Sequence, residues 1–378
     1  MTPPTAKAVV VGAGIIGTWH ALELLDAGFA VEHLDAEQAA AGASVRNFGL
    51  VWVSGRRSGE ELDVARRARA RWEEVGARVP DVGFRPSGSL TVATTSAERV
   101  VMTAFARLPD AAARSISFLE PDEVRARNPA VTGDVAGALH CELDAIVEPR
   151  RAPAALRAHL AAEAPDRYRF HPGRRVTGTA PGGVVDASGT RWEGDVVVLA
   201  TGAAYDHLPA AVPLAARLRR VRLQMFETEP FRGHELTTSL ADADSLRYYP
   251  AYEHAPRHEL GEQNEVGAIH HLQLLVVQRL DGGLTIGDTH AYGEPFDFAL
   301  CEEPTTELLT RARRILGAEL PAVRRRWEGV YAECTDGAVC LREQIDENVW
   351  LVTGPGGRGM TCSPAIARDT LVAAGVAA

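Results

Sequence analysis

The sequence predicts an α/β protein: a doubly wound parallel sheet with an inserted antiparallel-sheet (α+β) layer. Three observations predict it. Apolar strand runs end in glycine at Gly12, Gly202 and Gly354; helical periodicity follows the first and last of them; and the long stretches between carry strands that break the parallel alternation. Strands of one parallel sheet aim their carboxyl ends at one crevice, so the three glycine-bearing ends converge on a ligand.

Lys7 to Val11 reads as a short buried strand, and VVVGAGIIG (Val9 to Gly17) has the spacing of a dinucleotide fingerprint. Gly12, Gly14 and Gly17 supply a tight turn, close approach to a pyrophosphate and close helix packing, and Ile15 opens a helix whose free N–H groups favour an anion. Ile16, Trp19, Leu22 and Leu25 continue that helix to Gly28, and Val31 to Leu34 reads as the second strand. Asp35, followed by Ala36, is placed to accept hydrogen bonds from the ribose of an adenosine. A glycine-rich structural turn is the alternative for the motif, and NAD is the alternative ligand.

Gly42 to Gly55 reads as a loop returning over the ligand, with Phe48 and Trp52 buried. A helix is expected over Glu60 to Val79, a hairpin-like strand pair over Phe84 to Thr94, helices over Ala97 to Leu108 and Pro121 to Arg127, and a strand over Gly137 to Val147. The helix Arg150 to Glu163, a strand near Val176, a hairpin at Gly182 and Gly183, and the run DVVVLATGA (Asp195 to Ala203) restore the doubly wound pattern. Strands then follow at Leu223 to Glu229, Leu272 to Arg279 and Gly283 to Asp288, with a helix from Thr305 to Leu316. Val349 to Thr353 closes the pattern as a strand running into GPGGRGMT. The expected division is 1–82, 145–212 and 328–378 for a nucleotide domain, and 83–144 and 213–327 for a substrate domain.

The 378 residues suffice for two domains, and a net charge of −10 argues against nucleic acid or an acidic membrane surface as partner. Lys7 is the only lysine, so nearly every cation is an arginine. The five cysteines are scattered, with neither a metal-ligand spacing nor a disulfide framework, so no metal is expected. The opening MTPPTAKAVVVGAG lacks a basic n-region and a cleavage signal, and no apolar run is long enough to span a membrane, so a cytoplasmic protein is expected.

VVVGAGIIG, VVVLATGA, WEGVYAECTDGAV and GPGGRGMT occur in one order along nearly the whole chain, and in this it resembles the flavin-dependent amine and amino-acid oxidoreductases of the D-amino-acid oxidase, glycine oxidase and sarcosine oxidase group. The resemblance implies a glutathione-reductase-like FAD-binding domain with an inserted substrate domain. It assigns to FAD Gly12, Gly14, Ile15, Gly17, Asp35, Ala36, Ser44, Arg46, Asn47, Val176, Thr201 and Gly202, and at the flavin end Gly354, Gly357, Arg358, Gly359, Met360 and Thr361. A flavin needs donors at its pyrimidine oxygens, which backbone N–H groups of the last glycine loop provide and for which NAD has no use. Sarcosine oxidases attach flavin to a cysteine whose position falls near Gly329, so noncovalent FAD is expected.

The family's carboxylate-clamping arginine falls at Tyr331, so the substrate anion needs other donors: Arg46, His271, Gln273, Tyr248 or Tyr249, and Arg358. Each has a second reading, phosphate binding for Arg46 and packing for His271 and the tyrosines. His290, in LTIGDTHAYG, falls where these proteins carry an active-site histidine; His290, Tyr331 and Arg46 are the expected catalytic residues. The lysine that assists oxygen is replaced by Thr285, which implies slow reoxidation by oxygen and another electron acceptor. ASVRNFG, LLVVQR and IGDTHAYGEPFDF further resemble a phosphonate-associated subgroup, implying a small amine substrate such as 2-aminoethylphosphonate or its N-methyl form. The alternatives are glycine, sarcosine or a D-amino acid as substrate, and a nonenzymatic flavoprotein that works with a partner.

Overall fold

The computed structural model describes residues 6–376; residues 1–5 and 377–378, which include the start of the opening segment read above, lie outside the described residues. Six strands form the first sheet, in the order Leu341–Asp346, Val349–Thr353, Val196–Leu199, Lys7–Val11, Ala30–Leu34, Tyr168–His171. All neighbours are parallel except the first pair. Alternation divides their side chains between two covered faces. Ala8, Val10, Val196 and Val198 pack with Trp19, Trp72 and Ile366 of the helices Ile15–Asp26, Glu60–Arg78 and Gly359–Ala373. Val9, Val11, Val197 and Leu199 pack instead against Val176 and Val184 of a small antiparallel sheet built from Val176–Ala180, Gly183–Asp186 and Arg191–Glu193.

The second sheet has eight strands, in the order Val323–Cys334, Leu218–Pro230, Gly283–Gly287, Leu275–Gln278, Ser239–Asp242, Ser89–Ala93, Gly137–Cys141, Ile116–Leu119. It departs from the expected antiparallel layer at one joint, where Ser239–Asp242 runs parallel to Ser89–Ala93. Two separately inserted segments meet there, so no turn dictates their direction. The hairpin expected over Phe84 to Thr94 is a single strand, Ser89–Ala93, whose partners are these distant segments, with Arg85 making an isolated bridge to Ile146. The strand expected from Leu272 begins at Leu275, since the Leu272 N–H is drawn back to Gly267 O and the Leu274 N–H to the Asp242 carboxylate. Val323–Cys334 pairs with Leu218–Pro230 from end to end, so the expected boundary at 327/328 falls inside one strand. Among the described residues no helix is long and apolar enough to cross a membrane.

Candidate active site

Lys7–Val11 delivers the chain into Gly12 at φ 102°, against the end of Val196–Leu199: a Cβ on Gly12 would stand 2.3 Å from the Ala200 carbonyl oxygen. A Cβ on Gly17 would lie 1.8 Å from the Gly12 oxygen, so helix and loop touch backbone to backbone. Gly14 precedes the helix without a side-chain cap, and the Ser44 hydroxyl accepts the Ile15 N–H at 2.8 Å. Asp35 is pinned at the rim, accepting from Ala13 N–H at 2.5 Å and Glu37 N–H at 2.8 Å. Beneath the loop, His33 Nε2 donates to the Gly12 carbonyl (3.1 Å), which obliges Nδ1 to accept from the Tyr168 hydroxyl (2.9 Å).

From this loop a cavity of about 860 Å³ runs between residues of both sheets. Its lining includes Gly12, Gly14, Ile15, Asp35, Ala36 and Val176 of the first glycine loop and its surroundings, Ser44, Arg46, Asn47, Thr201 and Gly202, and Gly357, Arg358, Gly359 and Met360 of the last glycine loop. Gly17, Gly354 and Thr361, expected at FAD, do not line it. They hold its walls: a Cβ on Gly354 would meet Leu218 at 2.5 Å, and the Thr361 hydroxyl donates to Leu50 O and accepts from Trp52 N. The Asn47 amide is likewise spent on its own loop, at Ala43 O, Ser44 O and Gly49 N. Two features leave room for a bound group. The buried Thr201 hydroxyl has no partner, and a Cβ on Gly357 would meet nothing nearer than the Tyr248 and Tyr331 hydroxyls, each 3.9 Å away. A cavity whose lining joins an anion-favouring helix start, a carboxylate and bare glycine backbone fits FAD.

Those two hydroxyls stand over Gly357 at the cavity wall. Burial pushes both phenols well above their ordinary pKa, so both keep their protons. His290, 3% exposed, lies 4.4 Å from the Tyr248 ring and donates Nδ1–H to the His271 carbonyl at 3.1 Å. Gln273 is buried and lines the cavity, its Oε1 accepting from Ser245. His271 itself corrects the expectation: it is exposed, its ring outside the cavity, and only its carbonyl serves the site. Arg358 is also committed elsewhere, donating to Pro355 O, Gly337 O and Ala338 O and pairing with Glu61. Arg46 reaches the cavity from an exposed position, with one guanidinium nitrogen on Glu328 O.

Several charged residues that line the cavity escaped the sequence reading, Arg56 and Asp288 among them. Arg56, 5% exposed, lines the cavity beneath Tyr249, its Nε donating to Trp52 O. Asp288, equally buried, lines it beside His290. Asp288 lies just past the strand Gly283–Gly287, outside any periodic pattern that would have paired it with His290. No pattern marks Arg56 either. Elsewhere His270, Cys301 and Glu303 bring ligand atoms within 4.8 Å of one another, a trio drawn from separate segments that sequence spacing could not show.

Comparison with known proteins agrees with this geometry. The described fold superposes on L-proline dehydrogenase from P. horikoshii (TM-score 0.78, 19% identity, 99% of this chain and 94% of that one) and on glycine oxidase from Bacillus cereus (TM-score 0.77, 19% identity, 98% and 95%). In sequence it is 26% identical over 237 residues to one of the subunits of opine oxidase from Rhizobium meliloti, covering 58% of this chain and 62% of that protein, less than two thirds of its length. The model of the DAO family, FAD dependent oxidoreductase, matches residues 7–373. With that match running through both glycine loops and both sheets, this chain belongs to the DAO family of FAD-dependent oxidoreductases.

Proposed function

We propose that this protein oxidises a small amine or amino acid, with FAD held noncovalently along the cavity. The observation that carries the reading is the convergence of the Tyr248 and Tyr331 hydroxyls over Gly357, with His290 packed behind them. That arrangement sets protonated donors and an oriented imidazole at the mouth of the bare backbone that suits a flavin. The substrates named for the similar proteins, glycine, L-proline and opines, support an amine as the reacting group. When bound, FAD supplies the acceptor for two electrons and the hydrogen of a C–H bond next to nitrogen. The chain's own part is to exclude water, hold the substrate's polar ends and orient that bond.

Noncovalent attachment is supported by Gly329, which offers no thiol, and by Cys334, whose buried thiol is pushed up to about 11 and is no nucleophile near neutrality. Residues 1–82, 145–212 and the chain after Cys334 would hold the cofactor, and the two insertions, with Val323–Cys334 completing their sheet, the substrate. Thr285, buried in the second sheet, offers no cation to oxygen, which supports an acceptor other than oxygen.

The finer proposal, an aminophosphonate, rests on Tyr331 in place of a clamping arginine and on Arg46 and Arg56 at the cavity, whose guanidinium forks suit a tetrahedral dianion. His271 and Arg358 no longer share in it. Anaerobic bleaching of bound flavin by glycine, sarcosine, L-proline, 2-aminoethylphosphonate and its N-methyl form tests both levels. An amino acid that outperforms both phosphonates removes the finer proposal, and a flavin reduced by none of the five removes the broader one. Acid precipitation that leaves flavin on the pellet overturns noncovalent binding.

A further inference from the structure

Two positions before His290 stands a carboxyl group that the reading above leaves unused. Asp288 is 5% exposed, lines the cavity, and its Oδ1 is buried without a hydrogen-bond partner. Folded proteins rarely leave such an oxygen unpaired, and an orphan at a cavity wall points to a partner that arrives with the ligand. Among the described residues, the one group of opposite charge type within 4.0 Å is His290, whose Nε2 lies 3.8 Å from Oδ2, beyond hydrogen-bond length. The imidazole is held there. Its Nδ1 donates to His271 O, its backbone N–H donates to His270 O at 3.0 Å, and Tyr248 packs on its face.

The other groups facing Asp288 are neutral: the phenols of Tyr248, Tyr249, Tyr292 and Tyr331, and the amide of Gln273. Arg56 stands 5.9 Å from the Tyr249 ring centre and makes its ion pair with Glu61, not with Asp288. A dry carboxylate among neutral groups lacks a cation, and the cation a small amine brings is its ammonium.

Resting on the amine reading above, we propose that Asp288 receives the substrate's ammonium group, holds it, and takes one of its protons before oxidation. In that step an N–H bond breaks, its electron pair stays on nitrogen, and the proton bonds to Asp288 Oδ1; ammonium and carboxylate become neutral amine and carboxylic acid. The freed pair is what stabilises positive charge on the neighbouring carbon as its C–H bond is lost. Burial raises the Asp288 carboxyl above the usual carboxylate range, against the opposing pull of His290, and so brings it closer to the basicity the transfer requires.

The test uses the FAD-loaded protein and Asp288→Asn, each checked for flavin content. First, dimethylammonium chloride is titrated against the absorbance of the bound flavin, with dimethyl sulfide as the uncharged counterpart. The expected result is at least tenfold weaker dimethylammonium binding in Asp288→Asn with sulfide binding retained. Second, the rate of anaerobic flavin reduction by the most active amine of the panel is followed from about pH 6 to about pH 9. It should stay nearly level in the unaltered protein, and climb about tenfold per pH unit in Asp288→Asn, where solvent must remove the proton.

Equal dimethylammonium binding together with parallel pH profiles overturns the proposal. So does a tenfold-per-unit climb in the unaltered protein, a result that needs no variant and holds even where Asp288→Asn fails to load FAD. Asp288-dependent dimethylammonium binding without reduction by any panel amine sinks the oxidation reading and leaves the ammonium site standing. Reduction of both proteins alike by an amine does the reverse.

Discussion

His33 carries the carbonyl of Gly12 on its Nε2 proton, at 3.1 Å, and the imidazole is fully buried beneath a glycine that lines the cavity. The ring is the neutral tautomer fixed by its two partners, and burial pushes its pKa down to about 3. His20, buried in the following helix, is pushed down to about 4 by the same cause. Unfolded, both histidines take a proton near pH 6.5. Their contribution is therefore complete above that pH and is lost as pH falls toward 4 and then 3. We expect about 1 kcal/mol of stability lost per histidine between about pH 7.5 and about pH 5.5. Chemical denaturation at the two pH values checks it, and His33→Gln should shrink the difference by roughly half.

Gly17→Ala and Gly357→Ala should fail in different ways. The first drives a methyl to 1.8 Å from a backbone oxygen and should cost about 3 kcal/mol or more of stability, with or without cofactor. The second meets only two hydroxyls at 3.9 Å, so the FAD-free protein should unfold within about 0.5 kcal/mol of the unaltered one. Its flavin content should fall sharply. Thermal unfolding of FAD-free protein beside flavin absorbance of the purified variants separates the two; normal flavin content in Gly357→Ala would move the flavin end elsewhere.

Tyr331→Phe and Tyr248→Phe each remove one protonated donor from the substrate end while keeping the ring. Each should lower kcat/KM by roughly tenfold to a hundredfold on an anionic substrate, the loss of one charge-assisted hydrogen bond. Because the hydroxyls converge on one point, the double variant should lose less than the product of the two effects. Steady-state kinetics of the three variants decide it, and strict multiplicativity would mean that the tyrosines act at separate places.

Arg56→Ala and Arg358→Ala should part company as well. Arg358 holds three backbone carbonyls of the surrounding loops and pairs with Glu61, so its loss should lower flavin retention and stability without changing the ranking of substrates. Arg56→Ala should retain flavin, and it should raise KM for anionic amines by tenfold or more while sparing uncharged ones. Retained flavin together with an altered substrate ranking in Arg358→Ala would restore that residue to the site.

Much of this was legible because apolar runs ending in glycine have few other uses. Lys7–Val11, Val196–Leu199 and Val349–Thr353 stand where the sequence places them, and the crevice they share follows from their direction. Tyr168–His171 was not legible: four residues with Arg169 exposed carry no run long enough to read, and the strand exists because Ala30–Leu34 offers it an open edge. The parallel joint between Ser89–Ala93 and Ser239–Asp242 was hidden for a related reason, since nothing local connects them. Residue type pointed to His290 and Tyr331, which line the cavity, but could not say that His271, nineteen positions from His290, would leave its ring outside and lend only a carbonyl. That placement depends on the backbone at His271, which is left-handed (φ 47°), and side-chain chemistry does not encode it.

The backbone of Lys7 donates to the Asp195 carboxylate across 188 residues of chain, and Val349–Thr353 emerges far later still to flank Val196–Leu199. A growing chain therefore presents its first glycine loop to the cell long before the opposite wall of the groove exists. The groove is complete only once Gly359–Ala373 has docked against Ile15–Asp26, so a pocket assembled from the two ends of the sequence answers to the folding of everything between them.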